Sequence, residues 1–307
     1  MKLMVYDKRY ELYNNSYVEE NYTIIKKIGE GGNGIVYLVM KNKDDNKGKK
    51  FIMKKIHYKG IEQFTEVAMF SHFKLRCNGL LTMDDFFFVQ DQDEDRQIYY
   101  LYILIDYIED VVDLEIFHRD IYIKKMSKNY LKQFYKIFLD ISTCIKCLHD
   151  INIIHLDIKP ANILVKYDDK NDYNTYMSYL IDYGLSCFLE IEKDSSDAEI
   201  ENSCSFIKDS FKNIEYLFFA PEIYEIFNKI PVGTHSDIYS LGITMFIILF
   251  DNVRITSSDY NSVYKFLSKN AESDPDIKFL LRMIDRDHTI RPNIDDVISF
   301  IKAKLGE

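Results

Sequence analysis

The sequence predicts an α+β fold with two lobes: a small β-rich N-terminal lobe with one main helix, and a larger, mostly helical C-terminal lobe. Two observations carry this prediction. Before residue 106, several short apolar segments are separated by polar stretches, a pattern typical of strands and turns. After residue 113, apolar residues recur every three or four positions, as on one face of a helix. We assign 1–21 to an N-terminal extension, 22–106 to the first lobe and 107–307 to the second.

The strands of the first lobe are predicted at "IVYLVM", "KFIMKKI", "MDDFFFV" and "IYYLYILIDY", with a helix near Glu62 to Phe73. In the second lobe, two apolar series have helical spacing. One is Leu131, Phe134, Phe138, Ile141, Ile145 and Leu148, and the other is Ile294, Val297, Ile298, Ile301 and Leu305. Pro292 and Asn293 are typical start signals for the last helix.

The charge of the chain argues against two classes of partner. The sequence has 49 acidic and 39 basic residues, a formal net charge of -10, which repels phosphate backbones and anionic lipids. The longest apolar run, Leu241 to Phe250 if Gly242 and Thr244 are included, is far shorter than the ~20 residues that cross a bilayer. We therefore predict neither nucleic-acid nor membrane binding, and a buried helix for that run.

The five cysteines are scattered, and the polar start "MKLMVYDKRYELYNN" has no apolar signal segment. This pattern favours a reducing compartment. We expect the cytoplasm, either of the organism's own cell or, for a viral protein, of its host. Cys144 and Cys147 form a C-x-x-C pair inside a helical pattern, with no second pair to complete a zinc site, so we predict core packing for both.

A glycine-rich segment, "IGEGGNGIVY", carries Gly29, Gly31 and Gly34 in G-x-G-x-x-G spacing. A dinucleotide-binding fold needs a helix after the third glycine, whereas here a strand is predicted. A glycine hairpin between strands can lay its backbone N–H groups over phosphates, because no side chain blocks the approach. An ordinary hairpin turn is the alternative.

Lys54 lies on the next predicted strand and shares a face with the apolar Ile52 and Ile56. A lysine on a buried face needs a countercharge, whereas Lys55 is predicted to point to the opposite face. Glu66 on the following helix is the favoured partner because its flank is apolar, and Glu62 is the alternative.

Two segments compete for the catalytic aspartate. "HLDIKPAN" offers Asp157 to orient an attacking hydroxyl, Lys159 to neutralise charge and Asn162 to bind a metal ion, which are the groups that phosphoryl transfer needs. "FHRD" offers Asp120, but Lys125 stands at the position of the metal ligand and cannot bind magnesium. We predict that Asp157 is catalytic and that Asp120 lies on an amphipathic helix.

A second metal ligand is predicted in "YLIDYGLS", where Asp182 follows an apolar strand and precedes Gly184. A carboxylate at a strand end beside a glycine is well placed to bind a cation. Taken alone, it is equally consistent with a simple turn.

Together these segments resemble the protein kinase family over about Tyr22 to Leu305. "GEGGNGIVY" is similar to its glycine-rich loop, "FIMK" to the strand of its phosphate-binding lysine, "HLDIKPAN" to its catalytic loop and "DYG" to its metal-binding triplet. "APE" at 220–222 is similar to the end of its activation segment, and "SDIYSLG" to the central helix of its large lobe. The six motifs stand in the family's order, and the resemblance implies a bilobal kinase-like fold.

The resemblance also implies ATP and Mg²⁺ as cofactors and a set of site residues. Ile105 would stand behind the adenine, Asp106 and Ile108 would offer it backbone hydrogen bonds, and Asp113 would lie near the ribose. The further nucleotide-binding residues implied are Ile28, Gly29, Gly31, Gly34, Val36, Lys54 and Glu66, with Asn162 and Asp182 as metal ligands. Glu222 would pair with Arg291.

Three positions depart from the family pattern. Leu156 replaces the arginine before Asp157, so the cation that would receive an activation-segment phosphate is missing. We therefore expect no activation through phosphorylation of Ser195, Ser196, Ser203 or Ser205. Tyr183 replaces a phenylalanine and adds a hydroxyl that needs a partner. Glu215 replaces a threonine that faces the catalytic loop in this family, so this departure affects substrate docking.

The leading functional hypothesis is an ATP- and Mg²⁺-dependent kinase that phosphorylates serine or threonine in protein substrates, because Lys159 fits the serine/threonine pattern. The acidic net charge favours basic substrates through electrostatic steering. The alternatives are a kinase-like scaffold without catalysis, and a small-molecule kinase of related fold.

Overall fold

The computed structural model describes residues 12–14, 16–31, 34–43, 46–60, 64–72, 77–93, 96–124, 130–168, 174–189, 217–224, 232–250 and 260–307. The chain divides into two compact units, one formed by 1–74 with 81–109 and the other by 75–80 with 110–307. The first is rich in strands and the second in helices. The predicted α+β fold class is confirmed.

The first unit is built on a six-stranded sheet with the order β1-β5-β6-β4-β3-β2. Its strands are β1 (Leu12–Asn14), β2 (Tyr22–Gly31), β3 (Gly34–Lys41), β4 (Lys50–His57), β5 (Met83–Asp93) and β6 (Arg96–Asp106). Its helices are α1 (Ser16–Asn21) and α2 (Thr65–His72). β1 runs parallel to β5, whereas the other neighbours are antiparallel. The four strands predicted from the short apolar segments are all present.

The core of this sheet is aromatic and includes residues of β1 and α1. Phe51, Phe87 and Tyr102 are buried, and the rings of Phe87 and Tyr102 stack with centroids 5.2 Å apart. Tyr13 and Tyr17 pack against this cluster, so the segment that contains β1 and α1 adds to the core of the first unit.

The second unit contains the remaining elements. Its strands are β7 (Val111–Asp113), β8 (Ile153–Ile154), β9 (Ile163–Asp168), β10 (Asn174–Leu180) and β11 (Cys187–Phe188). Its helices are α3 (Leu114–Lys124), α4 (Tyr130–Asp150), α5 (Pro221–Tyr224), α6 (Thr234–Leu249), α7 (Tyr260–Asn270), α8 (Pro275–Met283) and α9 (Ile294–Leu305). The strands form a β10-β9-β7 sheet and a β11-β8 ladder.

Helix α4 buries the predicted apolar face with one exception. Phe134, Phe138, Ile141, Ile145 and Leu148 are buried, but Leu131 is 43% exposed. The prediction for Leu131 is wrong, because this residue lies in the first turn, before the helix reaches the core. Asn293 caps α9 as predicted, accepting a hydrogen bond from the Asp296 N–H.

The apolar run at 241–250 lies in α6 and its C-cap, and most residues of this helix are buried, as predicted. A Cβ on Gly242 would lie 2.8 Å from Met283 Cβ, so α6 approaches the end of α8 at a glycine. None of the described helices is long and apolar enough to span a membrane.

The cysteines differ from the prediction. Cys144 is a buried free thiol, as expected, but Cys147 forms a disulfide with Cys77, with a Cα–Cα distance of 6.4 Å. Cys187 is disulfide-bonded as well. Cysteine spacing along the chain indicates only pairs that are close in sequence, whereas the partner of Cys147 lies 70 residues away.

Candidate active site

The glycine-rich segment forms the end of the β2–β3 hairpin, where Gly31 pairs with Gly34. Gly34 has φ +116°, and a Cβ there would lie 2.3 Å from the Lys55 carbonyl oxygen. A Cβ added at Gly29 or Gly31 would have nothing within 4 Å. The hairpin therefore needs a glycine at 34 for its own backbone, whereas the space beside Gly29 and Gly31 is open to a ligand.

Lys54 lies on β4 opposite Val36 of β3 and points into the first unit, where it is 7% exposed. Its Nζ donates to Glu66 Oε2 of α2 at 2.7 Å, the predicted pairing. Glu62 lies outside the described residues. Lys55 points to the other face, with its Nζ 3.9 Å from the centroid of the Tyr100 ring, and burial lowers its pKa.

The predicted adenine-contacting residues lie at the end of β6 and just beyond it. Ile105 is buried, and Ile108 is half-buried. The Asp106 N–H donates to the Thr82 carbonyl at 3.1 Å. The Asp106 carboxylate accepts from Thr82 Oγ1 at 2.5 Å and from Lys49 Nζ at 3.1 Å. No sequence pattern indicated that Thr82 and Lys49 form hydrogen bonds with Asp106.

Two other predicted nucleotide contacts also lie in the first unit. Val36 is half-buried on β3, and Ile28 on β2 is 49% exposed. An isoleucine with this exposure presents apolar surface that a ligand can cover.

Asp157 is the centre of a compact polar group in the second unit. It is 4% exposed, and its carboxylate accepts from Lys159 Nζ at 2.9 and 2.8 Å. Asn162 Nδ2 donates both to the Asp157 backbone carbonyl and to Asp157 Oδ2, each at 2.8 Å. Pro160 begins a short 3₁₀ turn, Pro160–Asn162, which brings Asn162 back to Asp157.

Helix α6 holds this loop through a buried carboxylate. Asp237 accepts from the backbone N–H groups of His155 and Leu156 at 2.9 and 2.8 Å, and it lies 2.9 Å from His149 Nε2. Leu156 has φ +65°, an unfavourable conformation for a branched residue. The hydrogen bonds to Asp237 therefore hold the residue before Asp157 in a conformation it would not adopt freely.

Further polar residues on α6 were not predicted from the sequence. Ser240 Oγ donates to the Phe218 carbonyl at 2.6 Å, and Thr244 Oγ1 lies 3.4 Å from the Ile158 carbonyl oxygen. Ser240 and Thr244 lie on a helix that is otherwise apolar, and buried polar groups need hydrogen-bond partners. This pattern in the sequence could have indicated that both side chains form hydrogen bonds.

The predicted metal-binding aspartate lies beside the catalytic loop. The Ile181 N–H donates to the Asn162 carbonyl at 3.0 Å, and the Ile181 carbonyl lies 3.2 Å from His155 Nε2. Burial lowers the pKa of His155, so at neutral pH this ring is an uncharged hydrogen-bonding support. Asp182 has φ +65°. The Tyr183 hydroxyl finds its predicted partner in the Leu180 carbonyl at 2.8 Å.

The donor chemistry of this region fits Mg²⁺. Both hydrogens of Asn162 Nδ2 are used by Asp157, which leaves the amide oxygen as the group available to a cation. Together with the Asp182 carboxylate, it would offer two hard oxygen ligands of the kind that Mg²⁺ prefers. No cluster of three His, Cys, Asp or Glu side chains able to hold a metal occurs among the described residues.

The competing "FHRD" triplet lies inside α3, with Phe117 buried and Arg119 exposed. Asp120 is therefore on a helix, as predicted. Asp113, assigned to the ribose, caps the same helix, since its Oδ1 accepts from the Ile116 N–H at 2.7 Å.

Glu222 and Arg291 form the predicted fork, with N–O distances of 2.7 and 2.9 Å. Ser236 Oγ donates to Glu222 Oε1 at 2.8 Å. Burial alone would raise the pKa of Glu222, but the hydrogen bonds and charge of Arg291 outweigh it and lower the pKa. Glu215 and the serines at 195, 196, 203 and 205 lie outside the described residues.

A protein kinase domain model matches residues 22–301, so the chain belongs to the protein kinase family. The match extends over parts of both units, without β1 and α1, and includes all of the site residues described above.

Several curated relatives are similar to the chain. A putative serine/threonine-protein kinase of Acanthamoeba polyphaga mimivirus is 27% identical over 86% of this chain and 81% of its own length. A probable serine/threonine-protein kinase of Dictyostelium discoideum is 26% identical over 89% of this chain but only 23% of its own length. The serine/threonine-protein kinase MPS1 of Encephalitozoon cuniculi is 27% identical over 90% of this chain and 42% of its length. The chain thus spans less than half of the last two relatives.

Proposed function

We propose that the chain is an ATP- and Mg²⁺-dependent protein kinase that transfers the terminal phosphoryl group of ATP to serine or threonine hydroxyls of protein substrates. The observation that carries this proposal is the group formed by Asp157, Lys159 and Asn162. A nearly buried carboxylate beside a cation and an available amide oxygen is suited to phosphoryl transfer.

Each residue has an assigned role. Asp157 accepts a hydrogen bond from the acceptor hydroxyl and orients its oxygen toward the terminal phosphorus, and Lys159 neutralises negative charge there. Asn162 and Asp182 are the metal ligands. These two residues would hold Mg²⁺, which would supply positive charge to neutralise the charge that develops on the phosphate oxygens.

The first unit is assigned to nucleotide binding. Lys54, held extended by Glu66, contacts phosphate oxygens, and the backbone at Gly29 and Gly31 covers them. The backbone of Asp106 and Ile108 binds the adenine between apolar side chains that include Ile28 and Val36. Asp113 of the second unit is assigned to the ribose in addition to its cap on α3.

A protein acceptor with serine or threonine is supported by Lys159, two residues after Asp157, and by the names of the relatives. The fork between Glu222 and Arg291 supports a protein rather than a small-molecule acceptor, since it holds the APE segment. The net charge of -10 favours basic acceptors. We also propose a cytoplasmic location, where the disulfide between Cys77 and Cys147 would be exposed to thiol reductants.

The experiment uses labelled ATP, Mg²⁺ and a generic acceptor protein with the purified chain and with Asp157→Asn. We expect serine- and threonine-linked label from the wild type, and about 10²- to 10⁴-fold less from the variant, because it loses the group that orients the hydroxyl. Both proteins should bind a fluorescent ATP analogue equally. Equal labelling would reject the assigned role of Asp157, and turnover of a small alcohol with unlabelled protein would favour a small-molecule kinase. Nucleotide binding without any transfer would favour the scaffold.

A further inference from the structure

The segment 77–80 is bound into the second unit, although it stands in sequence between two parts of the first. The disulfide joins Cys77 to Cys147 of α4. One turn earlier on the same helix, Cys144 Sγ lies 3.5 Å from the Asn78 carbonyl oxygen. Gly79 has φ +95°, and a Cβ there would lie 2.7 Å from both Cys144 Sγ and the Ser178 carbonyl oxygen. The segment is thus packed tightly between α4 and β10.

The same segment supports the strand that leads to Asp182. The Leu180 N–H donates to the Gly79 carbonyl at 2.9 Å, and Leu80 forms a bridge with Leu180. The Leu180 carbonyl in turn accepts the Tyr183 hydroxyl. Leu180 is therefore held on one side by the disulfide-bonded segment and on the other by the residue after Asp182.

Asp182 has a φ of +65°, a left-handed conformation that aspartate tolerates better than most residues but that is still uncommon outside glycine. Contacts made by neighbouring residues therefore help to hold it. Side chains and backbone groups that orient a metal ligand change metal affinity by about 10- to 100-fold when they are lost. A covalent bond that fixes the Gly79 carbonyl acts on Asp182 through Leu180, only two residues away.

We infer that the Cys77–Cys147 disulfide is a positioning element for Asp182, and that its reduction weakens divalent-cation binding. The inference rests on the proposed function, because that assigns Asp182 as a metal ligand. In the reduction, a dithiol supplies two electrons and two protons, the S–S bond breaks, Cys77 and Cys147 become thiols, and the dithiol becomes a cyclic disulfide. Cytosolic dithiol reductants would carry out this step.

The test measures Mn²⁺ binding by electron paramagnetic resonance, with a nonhydrolysable ATP analogue and the full chain prepared without reductant. Peptide mapping first checks that Cys77 and Cys147 are joined. We expect the Mn²⁺ dissociation constant to rise about tenfold when dithiol is added and to recover on reoxidation. The double variant Cys77→Ser/Cys147→Ser should show the weaker constant with or without dithiol.

Two variants control for the other cysteines. Cys144→Ser changes a free thiol on the same helix and should keep the wild-type response to dithiol. Cys187→Ser removes a different disulfide and should keep that response too. Equal Mn²⁺ affinity for the oxidised wild type and the double variant would overturn the inference. Free thiols at both Cys77 and Cys147 in the unreduced chain would overturn it too, as would no Mn²⁺ binding in either the oxidised or the reduced form. An oxidised wild type that binds Mn²⁺ but transfers no phosphoryl group would instead count against the proposed function alone.

Discussion

Gly34 is the hairpin glycine whose backbone conformation and close neighbours disfavour any side chain. Its φ of +116° and the 2.3 Å between an added Cβ and the Lys55 carbonyl oxygen leave no room for alanine. We expect Gly34→Ala to destabilise the chain by at least about 1–2 kcal/mol, the cost of a left-handed backbone for a residue with a side chain. Chemical denaturation followed by circular dichroism measures this change.

Gly29→Ala is the matched control, because a Cβ at this position would have nothing within 4 Å and its φ is not in the positive range. It should leave the unfolding free energy within about 0.5 kcal/mol and weaken binding of an ATP analogue instead. Equal destabilisation by both variants would contradict the separation between a structural and a ligand-facing glycine.

Glu222 makes the stability of the second unit depend on pH. Because its folded pKa is lowered from the ordinary value of 4.5, the ion pair with Arg291 contributes its full stability above pH 4.5 and loses it as the pH falls through the folded pKa. At neutral pH, Glu222→Gln should cost about 3–5 kcal/mol, since it leaves a buried guanidinium without its countercharge.

Unfolding free energies of the wild type and Glu222→Gln at several pH values from neutral down to below the folded pKa measure this effect. The difference between the two should shrink below pH 4.5, whereas the exposed Glu272→Gln should match the wild type throughout. A difference that stays constant with pH would show that the carboxylate charge is not responsible.

At the scale of elements, β1 and α1 show what the sequence pattern cannot reveal. A three-residue strand has too few residues for alternation to be recognised, and the aromatic contacts that hold it are made with residues far along the chain. Tyr17 lies with its ring centroid 5.0 Å from that of Phe87 and also stacks on Tyr13.

Tyr17→Ala should therefore destabilise the chain by about 1–3 kcal/mol, through two lost ring pairs and their buried area. Leu12→Ala is the control from the same segment, because Leu12 is 52% exposed, and it should be nearly neutral. Thermal unfolding of both variants measures the contrast. Equal melting temperatures for Tyr17→Ala and the wild type would show that the segment adds nothing to the first unit.

At the scale of the whole molecule, the local patterns predicted strands β3 to β6 and helices α2, α3, α4, α6 and α9, because these are long enough to show a pattern. Helices α7 and α8 and the short strands of the second unit were not individually predicted. The ion pair of Lys54 with Glu66 followed from a buried charge that needs a partner, and that of Glu222 with Arg291 followed from the family resemblance. The disulfide, the exposure of Leu131 and the contacts of Ser240 depend on which segments meet in three dimensions. The periodicity of one segment gives no information about its contacts with distant segments.

The most direct test of the central claim is a crystal structure of the chain with a nonhydrolysable ATP analogue and Mg²⁺. We predict Mg²⁺ bound by the Asn162 amide oxygen and the Asp182 carboxylate at about 2.0–2.1 Å, with Lys54 on a phosphate oxygen and Asp157 facing the terminal phosphorus. A nucleotide bound with no metal at Asn162 and Asp182, and with Asp157 turned away from that phosphorus, would contradict it.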